Sequence, residues 1–507
     1  MENSNLDHNI LRRMLHDDLN FIDPFVSQLI QNETDQQMQK LILVPSVSAA
    51  PEAVLEALGS KFQNVCAEGQ PASRLSRGTV ADLQDVAFHL ADNRRYANRR
   101  FYKGVNYVDL VESLAQRRCA ALFAHGRLRP EHLFVNVQAL SGGTANLAVY
   151  QGLMNPGDTL MGMSLNEGGH LSHGAAVNLS GQLYRIVSYG VDKQTELLNY
   201  EAIRQLALEE RPQVIVAGYT AYPWQPDWEA FRAIADEVDA FLVADIAHTA
   251  GLVIAGEMPN PVGIADVTTL TTNKTLLGPR SAIVITTDRS MARAIDNAIF
   301  PGAQGAPHPN KFAAVSVALE LAATAEFRAL QSQIVTNAKA LAASLERCGM
   351  RLVYGGTNTH LFVIDLKSIP SPTGEVLYGE PASRILELAG IIVNRNTIPG
   401  DKSSPLATGL RMGTPWITQR GLKEVDMERL ANLIYQILSN IHPFTYNGLN
   451  GLLPRGKIDI EILEPVKQGI QDLVQQKAYQ VTQNQPALKL NNKPTSGINI
   501  SGQRARQ

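Results

Sequence analysis

Short apolar runs alternate with amphipathic stretches between Leu41 and about Ala323. The runs are rich in Val, Ile and Leu, and the segments between them carry apolar residues at helical spacing. Such alternation is typical of a mainly parallel sheet that helices cover. The pattern therefore predicts an α/β fold, with strands at Phe134–Val137, Thr159–Met163, Val214–Ala217, Phe241–Ala244, Val267–Leu270 and Ala282–Ile285.

The pattern changes on both sides of this region. Residues 1–40 are polar with a few leucines at loosely helical spacing, which predicts an N-terminal helical arm that packs on another surface. Residues 41–324 are predicted to be the large domain. A long helical stretch and three short apolar runs after it predict a smaller α+β domain over 325–446, with strands at Arg351–Val353, His360–Asp365 and Ile391–Val393.

The last part of the chain, 447–507, is predicted to be a tail. Apolar residues at helical spacing predict a helix over Ile460–Gln476. From Gln483 the chain is rich in Asn, Gln and Ser and poor in large apolar residues, so we expect disorder there.

Composition and charge exclude several classes of protein. Of 507 residues, 45% are hydrophobic and 18% charged, as in ordinary globular chains, and the net charge of −3 lacks the basic excess of nucleic-acid binders. Cys66, Cys119 and Cys348 lie too far apart for a metal motif or a disulfide framework. With no leader and no apolar window of about 18 residues, we expect a cytoplasmic protein with no membrane, nucleic-acid or metal partner.

A lysine follows one of the buried-type strands. Lys274 comes directly after the run that starts at Val267, and Gly278-Pro279 then turns the chain into the next strand. Desolvation and nearby cations lower the pKa of a lysine and make its amine a candidate Schiff-base nucleophile. The alternative is a lysine at a strand end that keeps its head in water.

An acid ends another apolar strand. Asp245 follows Val243-Ala244, where an unpaired carboxylate is costly to bury, so it requires a cationic partner. The protonated pyridine nitrogen of pyridoxal phosphate would serve. A structural ion pair or a helix N-cap is the alternative.

A glycine turn follows the strand that begins at Phe134. Ser141, Gly142 and Gly143 lie between this strand and a predicted helix, where backbone N–H groups and hydroxyls suit a phosphate. The phosphate cradle, buried acid and strand-end lysine occur in the order expected for a pyridoxal phosphate enzyme with an aspartate-aminotransferase-like fold.

These residues and others resemble the serine hydroxymethyltransferase family over roughly residues 41–440. The resemblance implies pyridoxal phosphate fold type I, with a mainly parallel seven-stranded sheet in the large domain. The segments that carry it are Val54–Ser60, Ala67–Gly69, Tyr107–Asp109, Asn155–Thr159, Gly168–Leu171, Asp245–Val253, Val267–Ala282, Phe300–Gly305, Gly355–Thr357 and Arg411–Pro415.

The resemblance also implies how pyridoxal phosphate is held. Lys274 is expected to bind it as a Schiff base, and Asp245 to keep its ring nitrogen protonated. Around the phenolic oxygen and the phosphate, the expected residues are His248, Thr220, Ser141, Gly142 and Gly143, with Gly305 from a second subunit.

For the amino-acid substrate, the resemblance implies that Arg411 holds the carboxylate with its planar guanidinium. Glu68 and Tyr102 are expected to reach in from a partner chain, with Glu68 as the acid in proton transfer. Ser46 is expected near the substrate, and Asn394 belongs to a loop expected near tetrahydrofolate. The expected assembly is a homodimer, or a dimer of dimers, with shared active sites.

The activity implied is interconversion of serine and glycine by retro-aldol and aldol chemistry at the α-carbon, with tetrahydrofolate as cosubstrate. Four positions depart from the family pattern. Asn273 replaces a histidine, Cys66 replaces a tyrosine, and Ser46 keeps only the first residue of its motif. Glu167 replaces the histidine expected to stack on the cofactor ring; it either acts as an acid, base or acceptor there, or it is a neutral change.

An insertion at about 74–97 separates the Glu68 segment from Tyr102. Apolar residues from Val80 to Leu90 predict a short amphipathic helix, which either reshapes the mouth of the site or is a surface excursion. With the four departures, it motivates a second hypothesis, a folate-independent aldolase or transaldolase acting on a threonine-type β-hydroxy amino acid. A third, a non-catalytic paralogue, is disfavoured because Lys274, Asp245 and Arg411 are all present.

Overall fold

The computed structural model describes residues 8–73, 75, 79–96, 99–371, 374–448 and 451–483. The expected disorder after Gln483 lies outside the described residues. The α-helices are α1 His8–His16, α2 Leu19–Ile22, α3 Pro24–Gln39, α4 Glu52–Leu58, α5 Val86–Tyr96, α6 Asn106–Phe123, α7 Gly142–Leu153, α8 Leu179–Leu183, α9 Tyr200–Glu210, α10 Trp228–Val238, α11 Ala250–Ala255, α12 Arg289–Asn297, α13 Pro309–Ala322, α14 Ala325–Arg347, α15 Gly379–Leu388, α16 Pro415–Gln419, α17 Glu424–Ser439 and α18 Ile460–Gln483.

The strands occupy the apolar runs of the sequence, with additions. They are β1 Leu41–Ile42, β2 Phe134–Asn136, β3 Thr159–Met163, β4 Arg185–Tyr189, β5 Val214–Ala217, β6 Phe241–Asp245, β7 Val267–Thr271, β8 Ala282–Thr286, β9 Arg351–Val353, β10 Leu361–Asp365, β11 Ile391–Ile392, β12 Asn394–Asn396, β13 Gly409–Gly413, β14 His442–Gly448 and β15 Gly451–Lys457. Short 3-10 or π segments lie at Lys61–Asn64, Ala81–Gln84, Pro130–His132, Leu165–Glu167, Leu171–His173, Ala298–Ala303, Leu366–Ser368 and Ser404–Leu406.

A seven-stranded sheet forms the centre of the molecule, in the order β2-β8-β7-β6-β5-β3-β4. The pairs from β7 to β4 are parallel, and only β8 runs against its neighbours. The predicted mainly parallel, seven-stranded sheet is confirmed. The seventh strand is β4, an edge strand in which Arg185 and Ser188 are exposed, so no continuous apolar run marks it.

Both faces of this sheet are buried. In β5, Ile215 and Ala217 belong to one hydrophobic cluster while Val214 and Val216 belong to another. Side chains alternate across a strand, so these two clusters lie on opposite faces of the sheet. Burial on both faces explains why the strands of the sequence read as continuous apolar runs.

A second group of elements follows α14. Strands β12, β13, β10 and β9 form an antiparallel sheet in that order. The N-terminal strand β1 pairs in parallel with β11, with Leu41 opposite Ile391. These strands and helices α15 to α17 share one hydrophobic cluster. The division at residues 324 and 446 stays a prediction.

The segment predicted to be a tail is ordered as far as it is described. Strands β14 and β15 form a hairpin, which the sequence analysis did not predict. The predicted helix over 460–476 is present as α18, and its Leu463, Val466 and Ile470 are buried in the same cluster as α17. The part of this segment that is described therefore packs on the preceding elements.

The N-terminal residues form helices, as predicted, with most of their apolar surface in contact with solvent. Phe25 of α3 is 70% exposed and Ile30 is 55% exposed. In the insertion, a 3-10 turn at Ala81–Gln84 precedes α5. The side chains of Leu83 in this turn and His89 in α5 are buried. Within the described part of the chain, no helix has both the length and the apolar character needed to cross a bilayer.

Candidate active site

The carboxyl ends of the parallel strands meet at one edge of the large sheet. Because β2 pairs with β8 and β8 with β7, both antiparallel, β2 also ends at this edge. A cavity of about 380 Å³ opens there, which we call the strand-edge cavity. Its lining residues are Ser46, Ser141, Gly142, Gly143, His170, His173, Tyr219, Thr220, Asp245, Ala247, His248, Thr271, Asn273, Lys274 and Arg280. Ligands of open α/β sheets bind in crevices of this kind.

Asp245 ends β6, and its carboxylate has three hydrogen-bonding partners. Its Oδ2 accepts hydrogen bonds from Asn146 Nδ2 at 2.8 Å and pairs with His173 Nε2 at 2.9 Å, and its Oδ1 accepts from Ala247 N at 2.9 Å. Asn146 is fixed in turn, since its Oδ1 accepts from Thr269 Oγ1 at 2.7 Å. The carboxylate is thereby held in one orientation at the cavity wall.

The protonation state of Asp245 follows from this network. Burial on its own raises the pKa of the carboxyl group, but the hydrogen bonds and positive charge of His173, and the hydrogen bond from Asn146, outweigh it. The net pKa lies well below the ordinary value. Asp245 is therefore an anion at neutral pH, held beside the cavity.

Lys274 stands three residues after the last residue of β7. Burial lowers the pKa of its amine to about 8, and the charges of Arg411 and Arg280 act in the same direction while Asp245 opposes them. The amine has no hydrogen-bond partner in the described part of the chain. A lysine that is buried and partly deprotonated near neutral pH is a competent nucleophile.

Two histidines lie behind the lysine. His248 Nδ1 lies 3.3 Å from His360 Nε2, and both rings are buried. Burial, together with the charges of Lys274 and Arg411, lowers the pKa of His248 well below its ordinary value and that of His360 to about 3. Both rings are therefore neutral at physiological pH, and His248 presents a neutral imidazole to the cavity.

The start of α7 forms an open cradle. Ser141 is its N-cap residue, and Ser141 Oγ lies 3.0 Å from Thr144 Oγ1. A Cβ on Gly142 would lie 2.6 Å from Thr271 Cγ2, whereas Gly143 faces open space. Glycine is thus required at 142, and the free N–H groups of this helix end face the cavity, as a phosphate requires.

Arg411 of β13 reaches the rim of the same cavity. Its Nη1 donates to the carbonyl oxygen of Thr220 at 2.7 Å, and its Nε donates to Asn394 Oδ1 at 3.2 Å. Burial lowers its pKa to about 10, so the guanidinium stays charged. Two bonds fix the plane of the guanidinium and leave Nη2 for a ligand, which suits a carboxylate.

The donor set fits pyridoxal phosphate, the cofactor expected from the sequence. Gly142 and Gly143 leave room for a phosphate at a helix N-terminus, and Asp245 supplies a buried anion for a protonated ring nitrogen. Lys274 supplies an unpartnered amine in the same cavity.

Three predicted residues form a separate group. The position of a Cβ on Gly305 would lie 3.8 Å from Glu68 Oε1. The charge of Glu68, and then that of Cys66, raises the pKa of Tyr102 above its ordinary value, so these side chains are close neighbours. None of them lines the strand-edge cavity of its own chain. The structure thus does not bring Glu68, Tyr102 and Gly305 together with Lys274.

The carboxylate of Glu167 is bonded to a neighbouring loop. Its Oε2 accepts a hydrogen bond from Val191 N at 2.8 Å, so the carboxylate satisfies a loop N–H after β4 and does not line the cavity. The cavity instead contains His170, three residues later. Burial and the charge of His173 lower the pKa of His170 to about 4, which leaves a neutral ring there.

Sequence reasoning missed several members of the site. His170 and His173 lie in a glycine-rich segment after β3, and that position after a strand was an available signal. Asn146, Tyr219, Arg280 and His360 carried no local signal. Their roles depend on which elements pack together, because Asn146 reaches Asp245 from α7 and His360 reaches His248 from the second sheet.

Comparison with known families agrees with this arrangement. A sequence model of the serine hydroxymethyltransferase family matches residues 19–98 and 91–434, which is most of the chain. The matched region contains the residues of the strand-edge cavity together with Glu68, Tyr102, Gly305 and Arg411. The chain therefore belongs to the serine hydroxymethyltransferase family of pyridoxal phosphate-dependent transferases.

Proposed function

We propose that this enzyme interconverts serine and glycine, with tetrahydrofolate as the one-carbon carrier. The observation that carries the proposal is that Lys274 and Asp245 line one cavity and that Arg411 is bonded to Thr220, another residue of its lining. Pyridoxal phosphate, when bound, supplies an electron sink that stabilises negative charge at the α-carbon of an amino acid.

The residues of the chain have distinct tasks in this proposal. The Lys274 amine, with a pKa of about 8, is the nucleophile that binds the cofactor. The Asp245 anion holds a proton at the ring nitrogen, and Ser141, Gly142 and Gly143 bind the phosphate. Arg411 orients the amino acid through its carboxylate, which fixes the bond to be cleaved relative to the ring.

His248 and Thr220 contribute shape and hydrogen bonding around the cofactor. Thr220 Oγ1 donates to the carbonyl oxygen of Gly169 at 2.8 Å, so it ties the segment after β5 to the segment after β3. Neutral His248 can donate or accept one hydrogen bond without adding charge beside Lys274. Ser46 and Asn273 line the cavity where the substrate side chain would lie.

The proposal includes a second copy of the chain. Glu68 and Tyr102 lie outside the cavity of their own chain, so they act on the substrate only if a partner presents them. Glu68 of the partner would then move the proton at the hydroxymethyl oxygen, and Gly305 of the partner would border the phosphate. Such sharing is compatible with a symmetric dimer, because a two-fold axis makes the two sites equivalent and each copy contributes the same residues to the other.

Subunit complementation tests the shared site. Lys274→Ala and Glu68→Gln chains, each inactive alone, are denatured, mixed and refolded together. Half of the resulting dimers are hybrids with one intact site of two, so about a quarter of wild-type activity is expected to return. No recovery would contradict sharing across the dimer, whereas each single variant refolded alone is the control.

The reaction is tested by the visible spectrum of the holoenzyme, titrated with glycine with and without tetrahydrofolate. A long-wavelength band that grows strongly only with tetrahydrofolate, together with folate-dependent formation of glycine from serine, is expected. If the band forms with glycine alone and threonine is cleaved without folate, the proposal fails. The folate-independent aldolase is then the better description.

One observation keeps the aldolase as a second candidate. Asn273 lines the strand-edge cavity next to Lys274, so this departure from the family pattern alters the site directly. Two other departures do not support the aldolase, since Glu167 bonds to Val191 N and Cys66 lies with Tyr102 outside the cavity. The Asn273→His variant separates the two: a gain in folate-dependent turnover, with less threonine cleavage, would mark Asn273 as the specificity change.

A further inference from the structure

A second cavity, of about 310 Å³, lies between α12 and strands β2 and β8. Residues Arg289, Ala292, Arg293 and Asp296 line it at helical spacing, so one face of α12 forms a wall. None of its residues lines the strand-edge cavity. We call it the arginine cavity; its lining is completed by Gln70, Pro71, Ser73, Arg99, Gln116, Leu133, Phe134, Val135, Asn136, Val284, Thr286, Ile295, Asn297 and Phe300.

The rim of the arginine cavity is positively charged. Arg289 and Arg293 are exposed, and neither side chain forms an ion pair or hydrogen bond with the described residues. Arg99 is held in place because its Nη1 donates to the carbonyl oxygen of Pro71 at 2.9 Å and to Ser73 Oγ at 3.0 Å. Three guanidinium groups converge on one opening, which favours an anion.

Two glutamines also line the cavity. Gln116 is only 6% exposed, and Gln70 is fixed because its Oε1 accepts a hydrogen bond from Gln138 Nε2 at 3.2 Å. Gln116 Oε1 and Gln70 Nε2 are covered by protein atoms and form no hydrogen bond with the described residues. Because a ligand in the cavity does not reach these two atoms, its attraction for an anion rests on the arginines.

The remaining charge in the cavity does not oppose an anion strongly. Asp296 accepts a hydrogen bond from Asn136 Nδ2 at 2.7 Å. Burial raises the pKa of its carboxyl group to about 6, against the lowering effects of Asn136 and Arg99. Its negative charge is therefore a single one among three arginines. Leu133, Val135 and Phe300 give the rest of the wall an apolar character.

We propose that the arginine cavity binds a small organic oxyanion, a phosphate ester or a polycarboxylate. The oxyanion lies between Arg289, Arg293 and Arg99, and the organic part packs against Leu133, Val135 and Phe300. Charge-assisted hydrogen bonds from arginine supply most of the affinity, and burial of the organic part adds to it. The site is separate from the proposed reaction and does not depend on it.

Calorimetric titration of the holoenzyme tests the proposal with four probes. Glucose 6-phosphate represents the phosphate ester, citrate the polycarboxylate, inorganic phosphate the bare anion and glucose the uncharged control. We expect saturable binding of glucose 6-phosphate or citrate, and no binding of glucose. The probe that binds more tightly, glucose 6-phosphate or citrate, shows whether the cavity prefers a phosphate ester or a polycarboxylate.

Two variants assign any binding to this cavity. The Arg289→Gln/Arg293→Gln double variant changes exposed residues only and is expected to weaken binding at least ~10-fold. Arg328→Gln, at an exposed position of α14, is the matched control and should leave affinity within about 2-fold.

The outcomes that overturn the proposal are distinct. Absence of saturable binding by all of the oxyanions, or equal binding of glucose, contradicts an anion site. Binding that is unchanged in the double variant, or that shifts the visible cofactor band, assigns the anion to Arg411 and the strand-edge cavity. Inorganic phosphate that binds as tightly as both organic probes contradicts the role assigned to the apolar wall.

Discussion

The strand-edge cavity and the arginine cavity lie in the same chain but differ in the burial and pairing of their charged groups. In the first, Asp245 and His248 are buried and bonded to neighbouring side chains, and burial shifts the pKa values of Lys274 to about 8 and His170 to about 4. In the second, Arg289 and Arg293 are exposed and form no pair with the described residues. The strand-edge cavity therefore sets the protonation states that a reaction needs. The arginine cavity supplies positive charge and no reactive group.

The largest expected effect is at Lys274. Lys274→Ala removes the buried nucleophile, so the visible absorbance of the bound cofactor should disappear and turnover should fall at least ~1000-fold. Binding of oxyanions at the arginine cavity should be unchanged. Absorbance spectra and serine cleavage measure the loss, and Lys339→Ala, an exposed lysine on α14, is the control. Retained absorbance in Lys274→Ala would show that Lys274 does not bind the cofactor.

Arg411 is expected to have the next largest effect. Arg411→Lys keeps a positive charge but loses the planar fork that bonds Thr220 and Asn394. The apparent dissociation constant for glycine should rise roughly 10- to 100-fold, with little change in cofactor absorbance. Spectral titration with glycine measures it, and Arg328→Lys is the control. An unchanged glycine affinity would show that the carboxylate lies elsewhere.

A paired comparison of His170 and Glu167 separates the cavity from its surroundings. His170→Ala removes a neutral ring from the cavity, so pyridoxal phosphate should dissociate about 10-fold more easily. Glu167→Gln keeps an oxygen that can accept from Val191 N, so cofactor affinity should stay within about 2-fold. Dialysis followed by absorbance gives both constants. A larger loss of cofactor affinity in Glu167→Gln than in His170→Ala would place Glu167 at the cofactor ring.

The smallest effect is on stability, at the arginine cavity. Asp296 has a pKa of about 6 in the native state, above the ordinary value of about 3.9 for an aspartate. The native state therefore binds more protons between these values, and its stability falls as pH rises through that window. Asp296→Asn removes this loss, so it should stabilise the protein by about 1–2 kcal/mol at pH 7.5 and by little at pH 4. Urea unfolding at both values measures it. An equal gain at both would contradict the raised pKa.

The parts of the fold that local pattern predicts are those whose burial is uniform. Five strands of the large sheet, β3, β5, β6, β7 and β8, are buried along almost their whole length and appear as apolar runs. Strand β4 was not singled out because its burial alternates at the sheet edge. The β14–β15 hairpin was missed for a similar reason, since most described residues of β14 are exposed.

The candidate site also contains residues that a local pattern predicts and residues that it does not. Lys274, Asp245 and the Ser141–Gly143 turn each follow a strand, so residue type and position sufficed to predict them together at a sheet edge. The hydrogen bond from Val191 N to Glu167 was not predicted, because the sequence gives no sign that the two loops are neighbours. His360 was missed because it reaches His248 from an antiparallel sheet far along the chain.

By itself, the sequence determined the fold class, the order of strands and helices in the large sheet region and the three groups that point to pyridoxal phosphate. These depend on hydrophobic period and on residues adjacent to strand ends, which are local properties. Only the tertiary structure decided that β1 pairs with β11, that Asn146 and His173 hold Asp245, and that the arginine cavity exists. These depend on contacts between distant segments, whose geometry is set by packing of the whole chain and not by any local pattern.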